Sequence, residues 1–152
     1  MTDLATLPPL LASIVTARVP ESGFSLVEHA WHLADIELEA YMPRIRRLLD
    51  EDDPRLVELD GDHLARERAY RSRPLAPALE RFRVVRAATI ERLVALSSAD
   101  RARAGTFAGV RITLGDLATH ILAHDRAHAR ELAALVDGDV RIALERFADG
   151  MA

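Results

Sequence analysis

Apolar residues recur along the chain at alternating spacings of three and four, the period of a helix with one buried face. Strand-like alternation is nearly absent. Pro8 and Pro9 suit the first turn of a short helix running to about Arg18, closed by Val19-Pro20 and a turn at Ser22-Gly23. Ser25 then opens a long helix. Ser25-Leu-Val-Glu28 reads as a capping box, the serine as N-cap and the glutamate reaching back to it. Beyond it Val27, Trp31, Ala34, Leu38, Tyr41, Ile45 and Leu48 form a stripe that carries the helix to about Asp50. Pro43 is its one local weakness.

Glu51 to Arg73 reads as a polar crossover punctuated by Pro54 and Gly61, with a short helix expected over Asp62 to Tyr70. A third long helix starts at Pro74 or Pro77 and runs to about Leu96, with Leu79, Phe82, Val85, Ala88, Ile90 and Val94 as its apolar positions. Ser98 to Gly109 reads as a loop, and Thr106 to Ile112 as a brief extended pair. Thr113 caps a fourth long helix to about Val136, and a short C-terminal helix is built on Val140, Leu144 and Phe147. Four substantial helices with a long connection predict an all-α four-helix bundle, one domain over residues 1–152.

Composition narrows the chemistry. A chain of 152 residues, 49% hydrophobic and 29% charged, is ordinary for a soluble globular domain. It has no cysteine, which excludes thiol nucleophiles, disulfides and thiolate metal sites. Every one of its 20 basic residues is arginine, so lysine Schiff-base chemistry is excluded as well. The net charge of −4 disfavours nucleic acid and anionic membranes as partners. Met1-Thr-Asp-Leu4 has neither basic residues nor a long apolar run, so no cleaved leader is expected, and a cytoplasmic location is. Seven arginines between Arg66 and Arg86 read as a solvated face, with a basic rim that steers an anionic substrate as the alternative. Trp31 and Tyr41 fit core packing.

The six histidines carry the most information. His29 and His32 lie three apart near the start of the second helix, and His120, His124 and His128 lie four apart in the fourth. Residues four apart share one helical face, so two imidazoles can converge on one ion. The apolar seam of the fourth helix reads Leu117, Ile121, His124, His128, Leu132, Leu135, which puts two imidazoles at core positions. Buried imidazoles cost stability unless their nitrogens find partners, and a metal ion supplies both partners at once. His120 is angled off that seam, and His63 stands alone in the crossover. A third ligand should come from the second helix. Spacing alone leaves His29 and His32 open.

Phe24-Ser-Leu-Val-Glu-His-Ala-Trp-His-Leu-Ala-Asp-Ile-Glu37 resembles the first signature of the DinB-like superfamily of metal-binding bundles. His124-Asp-Arg-Ala-His128-Ala-Arg-Glu-Leu132 resembles the second, a His-x-x-x-His near the end of the last long helix. The likeness spans about Phe24 to Leu135, with phenylalanine at 24 where tryptophan is frequent. It implies an up-up-down-down bundle, a homodimer, and a divalent metal held by His32, His124 and His128. His29, His63 and His120 are then expected outside the ligand set. Asp35, Glu28 and Asp125 are the carboxylates expected to orient the ligands.

Three neutral imidazoles leave coordination positions open, as in a catalytic site, and suit zinc or nickel, with iron or manganese as alternatives. The resemblance further implies a small-molecule substrate and a transferase that uses a low-molecular-weight thiol. That thiol must be a cosubstrate, because the chain has none of its own. Two alternatives remain: a metal-dependent hydrolase, and a non-catalytic metal-binding or histidine-lined dimeric bundle. An open cleft above the histidines favours catalysis, and a sealed site favours the structural class.

Overall fold

The computed structural model describes residues 2–151. A 3-10 turn, Thr2–Ala5, leads into α1, Leu7–Ala12. Helix α2, Leu26–Ile36, passes through a π turn, Glu37–Tyr41, into α3, Met42–Asp50. The crossover contains α4, Gly61–Glu67, and a 3-10 turn, Tyr70–Ser72. Then come α5, Leu75–Val94, the short α6, Ser98–Ala102, and a hairpin of β1, Ala104–Phe107, with β2, Val110–Thr113. Helix α7, Leu114–Ala133, and α8, Gly138–Ala148, complete the chain. The strands pair antiparallel, Ala104 opposite Thr113 and Phe107 opposite Val110. The four-helix bundle consists of α1, the α2–α3 helix, α5 and α7, with α8 packed on α7. No helix among the described residues is long and apolar enough to cross a membrane.

The expected caps are in place. Ser25 and Glu28 close the box at the start of α2, and Thr113 with Asp116 does the same for α7. Each satisfies backbone N–H groups that a helix start leaves without partners. The first helix ends earlier than the sequence suggests. Residues 13–20 run on as irregular chain, tied to the far end of α7, where Arg18 N donates to Leu135 O at 2.7 Å. The Arg18 guanidinium also bonds Ala134 O and the Asp137 carboxylate.

Pro43 acts one turn before its own position. It has no N–H to donate, and its ring crowds the carbonyl four residues back, so the preceding turn widens into the π geometry. The extra residue shifts the phase of the buried stripe. Leu38, expected inside, is 44% exposed, and Glu37 takes its place in the core at 0%. The partner of Glu37 is Arg86 of α5, 1% exposed. The Arg86 guanidinium donates to both Glu37 oxygens at 2.8 and 3.1 Å, to both Asp125 oxygens at 2.5 and 2.9 Å, and to Leu4 O at 2.9 Å. All five of its N–H donors are used.

The arginines between 66 and 86 are therefore not simply a solvated face. Arg86 is a core residue. Arg68 and Arg81 clamp the buried Asp35 at 2.9 and 3.0 Å, and Tyr70 Oη donates to the same carboxylate at 2.5 Å. Arg73 lies over the Trp31 ring, 3.7 Å from its centroid. The buried face of α5 is accordingly Ala78, Phe82, Arg86, Thr89 and Leu93, whereas Val94 is exposed.

Removing one partner of a buried ion network strands the others without compensation, at a cost of about 3–5 kcal/mol, whereas removing the whole network can be neutral. Urea denaturation should thus show Arg86→Met destabilised by about that amount. The triple variant Arg86→Met, Glu37→Leu, Asp125→Leu should recover most of the loss.

Candidate metal centre

Two helices carry the histidines. On α2, the cap at Ser25 fixes the start of the helix, so His29 and His32 lie in its first two turns, both facing inward. Phe24 stands just before the cap and packs its ring edge-on against His29, with centroids 5.5 Å apart. This is the position of a hydrophobic staple, filled here by an imidazole. Phe24 also lies 5.3 Å from the His32 ring and 6.4 Å from that of His128. On α7, Leu117 and Ile121 before the pair and Leu132 after it are buried, and they set the rotation that turns His124 and His128 inward.

His32, His124 and His128 offer ring nitrogens that all lie within 4.8 Å of one another. His124 Nε2 is 3.2 Å from His32 Nε2 and 3.1 Å from His128 Nε2. Nitrogen ligands about 2.0–2.1 Å from a tetrahedral ion sit about 3.3–3.4 Å apart, close to these separations. Protons alone serve this geometry poorly. His124 Nε2 can donate to one neighbour or accept from the others, but a neutral trio leaves lone pairs opposed. His124 Nδ1 is also buried and without a hydrogen-bond partner among the described residues. The donor set fits a divalent cation.

Electrostatics keep the donors neutral. Burial pushes the His29 and His32 pKa values down to about 4, with the charge of His32 adding to the effect at His29. His124 falls to about 3 through burial, the neighbouring His32 and the cations Arg86 and Arg44. His128 is depressed furthest, by burial and by His124. An imidazole that binds no proton keeps its lone pair for a metal.

His29 is not turned away from this group. It is 1% exposed, its Nδ1 is 2.8 Å from His128 Nδ1, and its Nε2 is 3.5 Å from a Glu131 oxygen. His29, His128 and Glu131 form a second set whose ligand atoms lie within 4.8 Å. His63 and His120 lie outside both sets, on exposed positions. The carboxylates expected to orient the ligands are engaged elsewhere: Asp35 by Arg68, Arg81 and Tyr70, Asp125 by Arg86, and Glu28 by Ser25 and Arg71. Glu131, three residues after His128 on the same helical face, is a carboxylate that does adjoin the cluster, 3.5 Å from His29 Nε2. That i, i+3 spacing was its signal.

A cleft of about 440 Å³ opens over the cluster, lined by Gly23, Phe24, His32, Leu59, Asp60, Gly61, Asp62, His128 and Glu131. Its outer wall is the crossover. Gly61 packs so closely that a Cβ there would sit 2.5 Å from His32 Cε1 and 2.9 Å from His32 Nδ1. Its φ is not positive, so the requirement is for space. Burial and the nearby Asp62 raise the Glu131 carboxyl pKa.

A family model described as the DinB superfamily matches residues 6–132. No curated protein matches the chain. Among solved structures, the chain is similar to YfiT from Bacillus subtilis, described as a probable metal-dependent hydrolase with an unusual four-helix bundle topology. The two agree with a TM-score of 0.72 over 99% of this chain and 84% of that one, at 16% sequence identity. At that identity the likeness speaks for the fold.

Two measurements follow from the geometry. Gly61→Ala should leave helicity intact by circular dichroism but displace the His32 ring, weakening zinc binding by about tenfold or more in competition with a chromophoric chelator. The depressed histidines also set a pH dependence. Above about pH 6.5 they are neutral whether folded or unfolded; below it the unfolded chain takes up protons that the folded protein refuses. Each then removes about 1.4 kcal/mol of stability per pH unit until its folded pKa is reached. Metal-free protein followed by urea denaturation should therefore be flat above about pH 7 and weaken steeply from about 6.5 toward 4.

Proposed function

The chain belongs to the DinB superfamily, and from that footing we propose that it is a metal-dependent transferase acting with a low-molecular-weight thiol, its ion held by His32, His124 and His128. The observation that carries this reading is the open cleft of about 440 Å³ with His32 and His128 in its wall. A structural site closes its coordination shell with protein ligands, whereas a catalytic one keeps a position facing substrate. Three imidazoles suit zinc or nickel best and accommodate iron or manganese. When bound, such an ion supplies positive charge that makes a thiol or a water more acidic.

The protein's own residues do the rest. Burial keeps the imidazoles unprotonated at neutral pH. Phe24 covers three of the rings and shields their nitrogens from bulk water. Glu131, in the cleft wall and less acidic than usual, can accept the proton a thiol gives up. Without cysteine in the chain, the thiol enters as a substrate and leaves in the product. Hydrolysis is the second reading. The description of YfiT favours it, and the same carboxylate could draw a proton from water.

The test uses metal-loaded protein with a panel of small thiols and either an activated aryl halide or an epoxide, read as thiol loss. Turnover should depend on the metal. His32→Ala, His124→Ala and His128→Ala should each lower both turnover and zinc affinity by about 100-fold or more, since two imidazoles hold a divalent ion far less well than three. Cleavage of an activated ester without thiol would establish the hydrolytic reading instead. Stoichiometric metal with neither reaction would identify a binding protein.

A further inference from the structure

We propose that His29 and Glu131 are positioning residues that hold His128 in the one tautomer able to bind an ion, with Nδ1 protonated and Nε2 bare. The inference rests on the metal-centre reading above. The two nitrogens of His128 face different partners: Nε2 is 3.1 Å from His124 Nε2 in the cluster, and Nδ1 is 2.8 Å from His29 Nδ1. At 2.8 Å one of these two Nδ1 atoms donates and the other accepts. A neutral imidazole carries a single N–H, so whichever nitrogen holds the proton leaves the other as a lone pair.

Glu131 decides between the two arrangements. Its carboxylate lies 3.5 Å from His29 Nε2, too far for a strong hydrogen bond but close enough to favour an N–H there over a lone pair. A proton on His29 Nε2 makes His29 Nδ1 the acceptor. His128 must then donate from Nδ1, and its Nε2 lone pair is turned toward His32 and His124. The opposite arrangement sets a lone pair against the carboxylate and aims an N–H into the cluster. Burial removes the solvent shortcut: His29 is 1% and His128 8% exposed. The His29 and His128 rings meet at 87°, and Phe24 packs against both of them, with centroids 5.5 and 6.4 Å away. A histidine between a carboxylate and a ligand thus does what a carboxylate usually does directly for a metal-binding imidazole.

The experiment measures Zn²⁺ affinity and stoichiometry of the full chain by chelator competition, together with the histidine tautomers from long-range ¹H–¹⁵N spectra. The wild type should bind one equivalent and show the N–H of His128 on Nδ1 and that of His29 on Nε2. His29→Ala should weaken zinc about 10- to 100-fold, less than His32→Ala, and leave His128 as a tautomer mixture. His29→Gln, whose carbonyl can accept from His128 Nδ1, should restore most of the affinity, while the similarly sized His29→Met should not. That pair carries the comparison should His29→Ala fail to fold. Glu131→Ala should weaken zinc by severalfold and Glu131→Gln by less.

Wild-type affinity and tautomers in both His29→Ala and His29→Met, with zinc lost in His32→Ala, would overturn the relay while sparing the metal centre. Loss in His29→Ala as complete as in His32→Ala would overturn it by making His29 a ligand. A second zinc equivalent that disappears in Glu131→Ala would overturn it by making His29, His128 and Glu131 a separate site. Zinc affinity unmoved by His32→Ala would overturn the metal centre itself, and the relay with it.

Discussion

A guanidinium inside a helical bundle is tolerable only if every donor it carries is met, and Arg86 meets that condition with five acceptors. Those acceptors belong to three parts of the chain, the N-terminal 3-10 turn, the π turn and α7, while α5 bears the guanidinium itself. The network therefore fixes the rotation of each helix about its axis. Asp125 lies between His124 and His128 in sequence, and seating its carboxylate on Arg86 sets the direction in which those imidazoles face. The dependence runs back to Pro43. Without the widened turn that precedes it, Glu37 would leave the core and Leu38 would replace it, placing an alkyl group against the charge.

The network also divides the interior. One apolar cluster gathers Leu7, Leu11, Trp31, Tyr70, Phe82, Leu132 and Phe147; the other gathers Ile45, Leu48, Leu93, Leu117 and Ile121. Along α5 and α7, Arg86 and Asp125 fall between the two sets. Polar groups are thereby concentrated in one layer, where they serve one another, and the apolar residues above and below are free to pack densely. Four neutral imidazoles adjoin that layer. Their neutrality follows from the same burial, reinforced at His124 by the positive charge of Arg86. The core that supports the site thus also keeps its donors free of protons.

What could be read in the sequence was local. The capping box at Ser25 and the cap at Thr113 are decided within four residues, and both are present, the second as a box completed by Asp116. The helical period placed α2, α3, α5 and α7 because a single apolar face repeats along each, and the His-x-x-x-His spacing on the α7 seam brought His124 and His128 together. What escaped was non-local or broke the period. An arginine on α5 looks solvated until a carboxylate 49 residues away is known to meet it. The exchange of Leu38 for Glu37 needs the π turn, which a constant 3.6-residue period cannot express. Spacing alone leaves His29 and His32 open, because a helical period does not count Phe24 as a packing partner for His29. The early end of α1 is decided by the bonds Arg18 makes to the end of α7, more than a hundred residues on.

The division of labour at the cleft follows from where its parts are anchored. The imidazoles stand on α2 and α7, rigid elements locked by the Arg86 network, whereas Leu59, Asp60, Gly61 and Asp62 come from the crossover. Binding geometry is best held on helices, and selectivity is most readily varied on connecting segments. This crossover is nevertheless not loose. It is pinned at its start by Leu56 N and Thr106 N pairing with Thr106 O and Pro54 O, at 2.8 and 2.9 Å, and at its end by Arg68 and Tyr70 on Asp35. Between those pins, Gly61 presses on the His32 ring without a side chain to spare. A change at Gly61 that reshapes the cleft therefore also reaches the His32 ring. On the proposed reading, substrate choice and metal retention, assigned to different segments, are coupled through the contact of Gly61 with His32.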